Sequence, residues 1–169
     1  MGFPKPDDAA PYYSTYIDRI SGDNILDVLE SQLQTATALF GGISEEKSFH
    51  RYAPDKWSIR GVLSHVNDTE RVFSFRAFWF ARGFGDAMPS FDQNVSADAA
   101  RADEHPWAGH VQEFEKIRLA TLAFFRNLPA GAWARSGVAS GNAVTVNALA
   151  YIIAGHASHH IAILQERYL

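Results

Sequence analysis

Three histidines fall within five residues near the C-terminus, in the segment Gly155-His156-Ala157-Ser158-His159-His160-Ile161. The run around them is apolar, with Leu149, Ile152 and Ile153 before it and Ile163 and Leu164 after it. Residues four apart on a helix stand one turn apart on one face, so His156 and His160 would share the apolar side. Two core imidazoles at that spacing can chelate one metal ion, and burying them without a common partner would be costly. His159, three residues after His156, lies near the same face, and spacing leaves His159 and His160 in competition.

A third imidazole is available earlier in the chain. His65 lies in a stripe with Val62, Val66, Thr69, Val72, Phe73, Arg76 and Phe80. If its helix packs against the C-terminal one, three neutral rings can meet and leave coordination positions open for water or substrate. An open position marks a reactive site, whereas structural zinc is usually fully ligated by protein. Zinc and nickel lead the candidates, and iron and manganese accept the same donors. His50, His105 and His110 sit in loops or at helix starts and read as surface residues. Asp68, Glu70 and Arg71 read as ordinary helix-surface charges. Arg76 and Arg118 interrupt apolar stripes, and their long stems are expected to carry the charge out to water. No phosphate-binding glycine loop, nucleophile elbow or HExxH motif occurs, and no catalytic or cofactor-binding residue is named from spacing.

Composition narrows the chemistry. The chain of 169 residues suits one domain, and 47% hydrophobic with 20% charged residues is an ordinary globular balance. A net charge of −4 gives no footprint for nucleic acid or anionic membranes. Cysteine is absent, which excludes disulfides and a protein thiol nucleophile and fits a cytoplasmic setting. The N-terminus shows no apolar signal core, and Pro6 breaks the myristoylation pattern. A soluble protein with a small-molecule substrate is expected.

The elements that would hold these residues are helices. Residues 1–20, rich in Pro and Tyr, are expected to form an arm that packs its aromatics on a body spanning 21–169. A first helix is predicted over 24–40, capped by Ser21 or Asp23 and stopped by Gly41-Gly42. A second is predicted over 59–82 with Ser58 as its cap; its far side carries Arg60, Asn67 and Arg71 for solvent. A short helical piece is expected near 97–102. A third long helix should run over 106–127, and a fourth from a Thr145 cap to about 167. The alternation over 138–146 is broken by Gly141-Asn142 and supports at most a short hairpin. Four amphipathic helices with two long connections make an all-α four-helix bundle, a fold that builds metal sites between facing helices.

Two stretches resemble a known family. Lys56-Trp57-Ser58-Ile59-Arg60-Gly61-Val62-Leu63-Ser64-His65-Val66-Asn67-Asp68-Thr69-Glu70-Arg71 is similar to the second-helix signature of the DinB/YfiT-like superfamily. Gly155-His156 through His160-Ile161-Ala162-Ile163-Leu164 is similar to its last-helix signature. The resemblance implies a four-helix bundle in which His65, His156 and His160 hold a divalent metal, which decides for His160 over His159. It also implies a homodimer, and thiol-dependent S-transfer or isomerisation using a low-molecular-weight thiol; a metal that activates water instead would make the protein a hydrolase. The alternative is a non-catalytic metal-binding or stress-response module whose ion is structural.

Overall fold

The computed structural model describes residues 2–169. Four long helices dominate it: α2 (Ile25–Gly41), α3 (Ile59–Ala81), α5 (Trp107–Arg126) and α6 (Val146–Ile163), with the short helices α1 (Ser14–Ile17) and α4 (Gln93–Ala100) between and before them. α3 packs on both α5 and α6, and α2 packs on the same two. The bundle is therefore a square in which α2 and α3 lie across one diagonal and α5 and α6 across the other. Chain order crosses both diagonals, so the connections 42–58 and 127–145 must be long.

Local chemistry accounts for the boundaries. Ser58 Oγ accepts the Gly61 N–H at 3.0 Å and Thr145 Oγ1 accepts that of Ala148 at 3.1 Å, so both expected caps operate. α2 is capped instead by Asn24, whose Oδ1 accepts the Leu26 N–H, and not by Ser21 or Asp23. α4 begins earlier than the sequence suggests because Asp92 takes the Asn94 and Val95 N–H groups. α6 loosens into a π-helical turn over Leu164–Tyr168.

The alternating segment does form a hairpin. β1 (Ser136–Ala139) pairs antiparallel with β2 (Asn142–Thr145), Ala139 opposite Asn142. Ser140 and Gly141 both adopt positive φ, 52° and 76°, as a tight two-residue turn requires. The interruption seen in the sequence is thus the turn itself. The hairpin packs on α3 so closely that a Cβ on Gly137 would meet the Phe80 ring at 2.1 Å. Met88 exchanges backbone hydrogen bonds with it (Met88 N to Val138 O, Ser140 N to Met88 O), which fixes the loop that follows α3.

The N-terminal arm lies along α6. Phe3 meets Tyr151 edge-on at 5.2 Å, and the Tyr16 backbone approaches so near that a Cβ on Gly155 would lie 2.1 Å from the Tyr16 carbonyl oxygen.

The far face of α3 is wet at Arg71, as expected, but not over its earlier turns. Arg60 and Asn67 are each 1% exposed. Arg60 donates to the Glu45 carboxylate, Ser48 Oγ and the His105 carbonyl, and Asn67 donates to the His110 carbonyl and to Glu113. Segments from the connections before and after α3 cover a face that a bare bundle would leave to solvent. Among the described residues, no helix is long and apolar enough to cross a membrane.

Candidate metal centre

The α3–α6 seam brings His65, His156 and His160 together. Their ring centroids lie 4.9 Å (His65–His156), 4.8 Å (His65–His160) and 4.5 Å (His156–His160) apart. One nitrogen from each falls within 4.8 Å of the other two. His156 Nε2 lies 3.1 Å from His65 Nε2 and 3.2 Å from His160 Nε2.

Hydrogen bonding alone serves this cluster poorly. A ring nitrogen is either a donor with one N–H or an acceptor with one lone pair. His156 Nε2 can therefore satisfy one of its two neighbours well, but not both. A cation at the convergence point would serve all three lone pairs. Metal–nitrogen bonds of about 2.0–2.1 Å put tetrahedral ligand atoms about 3.3 Å apart, close to the two spacings from His156 Nε2. The donor set fits a divalent ion with positions to spare.

The surroundings keep the rings neutral, the form that ligates. Burial pulls His65 down to about 4 and His160 down to about 3, and pulls His156 well below its usual range. His65 is further oriented by its neighbours. The Thr69 hydroxyl, one turn on, stands 3.4 Å from Nδ1, and the Trp57 ring lies 5.0 Å away. A proton on Nδ1 directed at Thr69 frees Nε2 to face the cluster. Tyr16 from the arm packs edge-on against His156 at 5.3 Å. Burial and the neighbouring Tyr12 hydroxyl push the Tyr16 phenol well above its usual range.

A cleft of about 480 Å³ opens beside the cluster, with His65 and His156 in its wall. Tyr12, Tyr13 and Tyr16 of the arm form one side. Thr69, Phe73 and Arg76 of α3 form another, and Ser140 of the hairpin turn reaches it too. Arm, helix and hairpin thus share one binding-sized space.

His159 stands outside the trio. Its ring lies 5.0 Å from that of His160 and 5.7 Å from that of Tyr16, and its Nδ1 is buried without a hydrogen-bond partner among the described residues. His50 and His105 are exposed, as their loop positions suggest. His110 is buried, 6% exposed, with Nε2 3.0 Å from the Ala102 carbonyl oxygen. Asp68 takes a hydrogen bond from Ser96 and pairs with the exposed Arg71.

Two arginines and one glutamate depart from expectation. Arg118 does not reach water; it is 0% exposed, and Nε and Nη2 form a fork on the two oxygens of Glu70 at 2.9 and 2.8 Å. Glu70, expected at the surface, is 3% exposed. Arg76 is 4% exposed and donates from Nη2 to the Pro89 carbonyl at 2.8 Å and Ser140 Oγ at 3.0 Å. Nothing in the spacing separates these charges from ones whose stems reach the surface.

Residues 29–164 match the family model of the DinB superfamily. Two solved structures share the fold. YfiT from Bacillus subtilis, described as a probable metal-dependent hydrolase with an unusual four-helix bundle topology, aligns with a TM-score of 0.69 at 15% identity, over 96% of this chain and 89% of its own. The mycothiol-dependent maleylpyruvate isomerase aligns with a TM-score of 0.70 at 11% identity, over 86% of this chain and 61% of its own. The chain thus spans less than two thirds of the isomerase. No curated protein matches.

Proposed function

The chain belongs to the DinB superfamily, and we propose that it is a metal-dependent enzyme acting on a small molecule, with His65, His156 and His160 as the protein ligands of the ion. The observation that carries this reading is the meeting of three imidazoles from two distant segments, His65 and His156 buried and His160 half-buried, beside a binding-sized cleft that His65 and His156 line. Zinc or nickel suits the nitrogen donors best, with iron or manganese acceptable. When bound, the ion supplies a Lewis acid that lowers the pKa of a thiol or a water.

The protein's own residues prepare for that chemistry. Burial disfavours protonation of the three rings, and the Thr69 hydroxyl stands where it can accept a proton held on His65 Nδ1. The tyrosines of the arm form one side of the cleft. Asp92 is the one carboxylate on the cleft wall among the described residues, and one of its oxygens is occupied by the α4 cap. A thiolate needs no general base once its proton has left, whereas hydrolysis uses a group that manages protons. This favours thiol-dependent transfer, with a low-molecular-weight thiol from outside a chain that has no cysteine. The hydrolytic version draws on the likeness to YfiT.

The family resemblance also implies a homodimer, for which Phe75 and Phe78 on the outer face of α3, 50% and 38% exposed, offer apolar surface. The second functional reading, an ion that only ties α3 to α6 in a non-catalytic module, draws on the burial of His65 and His156. Cobalt substitution separates the two. Thiols entering the coordination sphere should produce a thiolate-to-cobalt absorption band, and the apoprotein should stay folded. A spectrum indifferent to every thiol, together with unfolding on chelation, would establish the structural role instead.

A further inference from the structure

Three arginines lie deep in the protein: Arg60, Arg76 and Arg118 are 1%, 4% and 0% exposed. Two of them have carboxylate partners, Glu45 for Arg60 and Glu70 for Arg118, each at 2.8 Å. Arg76 has none within ion-pair distance among the described residues. Its neutral partners are the Pro89 carbonyl and Ser140 Oγ, both reached from Nη2, and the Tyr13 hydroxyl. The Phe73 ring lies 5.6 Å from the guanidinium carbon, and the Tyr13 phenol stands alongside. Arg76 is also the one of the three that lines the cleft beside His65 and His156.

A buried guanidinium without a counter-charge is costly, and the planar fork is built for a carboxylate. We infer that Arg76 receives a carboxylate carried at the far end of the small molecule that occupies the cleft. This deepens the metal-enzyme reading and rests on it for the identity of the reacting end. His65 and Arg76 stand about three turns apart on α3, and helical side chains lean toward the N-terminus, so guanidinium and imidazole are separated by on the order of 10 Å. The ligand is therefore elongated, its reacting atom at the histidines and its acid group at Arg76.

Calorimetry with hexanoate, hexanol and hexylamine on metal-free protein tests Arg76 without the ion. Hexanoate should bind about tenfold tighter than hexanol, as a charge-assisted contact provides, and Arg76→Gln should erase that preference. If the Gln variant fails to fold, Arg76→Lys keeps the charge without the fork and should bind hexanoate several-fold more weakly. Equal binding of acid and alcohol, tightest binding of the amine, a preference surviving in the Gln variant, or undiminished hexanoate binding in the Lys variant would overturn the assignment. A second arm adds mercaptohexanoate and mercaptohexanol to cobalt-substituted protein. Both should perturb the cobalt spectrum, the acid at lower concentration. Perturbation with no acid preference rejects the Arg76 role and spares the metal reading. An unperturbed spectrum alongside a hexanoate preference rejects the thiol version and spares Arg76.

Discussion

Two polar clusters are buried in this bundle, and they differ in how well they are satisfied. The Arg118 cluster is closed: Glu70 on α3 takes a two-pronged contact, Gln32 on α2 accepts at 2.6 Å, and the Gln32 amide donates to the Ala154 carbonyl and Ser158 Oγ of α6. It ties all four long helices together with donors meeting acceptors. The histidine cluster is open, since its three nitrogens converge on a point that internal hydrogen bonds cannot serve and a cleft adjoins it. A closed network specifies the fold, and an open one is shaped for something that is not protein.

The largest effect should come from breaking the closed cluster. Glu70→Ala leaves Arg118 charged and unpaired in the core and should cost about 3–5 kcal/mol, read from denaturant midpoints with metal and without. A loss under about 1 kcal/mol would show that water or another group replaces the carboxylate, and the contrast would fail.

Opening the other cluster further should act on metal and spare the fold. Removal of a group that merely orients a ligand costs about 10–100-fold in metal affinity, so His65→Ala or His160→Ala should cost more than about 100-fold. Competition with a chromophoric chelator measures this. Apoprotein stability should stay within about 1 kcal/mol, because the lost ring had no good internal partner. Metal affinity unchanged in both variants would remove the proposed ligand set.

Acid should also tell the two apart. His65 and His160 titrate near 4 and 3 when folded, because burial disfavours their charge, and near 6.5 in the unfolded chain. Between pH 6.5 and about 4 the unfolded state binds more protons, so apoprotein stability rises with pH across that window and falls on acidification. The expected loss by pH 4.5 is on the order of 2 kcal/mol for each ring, and His65→Ala should make the slope shallower. A flat profile from pH 7 to 4.5 would mean the rings are more accessible to water than the structure shows.

The helices and the open cluster were legible in the sequence for one reason, since both write themselves locally. Apolar stripes mark α2, α3, α5 and α6, Ser58 and Thr145 stand where caps belong, and His156 and His160 are one turn apart. The closed cluster was not legible. Arg118 and Glu70 are 48 residues apart, and a charge that interrupts a stripe looks the same whether it finds a distant partner or reaches water. The burial of Arg60, Asn67 and His110 was hidden likewise, because it depends on how connections outside the bundle fold over α3. The hairpin was allowed by the alternation but looked broken, because Gly141 and its neighbour Ser140 form its turn.

The smallest effect sharpens the comparison most. His159 is adjacent to His160, and spacing leaves the two in competition. The helix turns by about 100° per residue, which carries the two side chains to different sides of α6. His160 faces α3, with its Nε2 3.2 Å from that of His156, while His159 packs toward Tyr16 of the arm. His159→Ala should therefore change metal affinity by less than about twofold, a small fraction of the factor that removing a ligand costs. The same chelator competition, run on His159→Ala and His160→Ala side by side, reads that difference directly. Equal losses would mean that α6 presents either ring to the ion, and that the open cluster has four members.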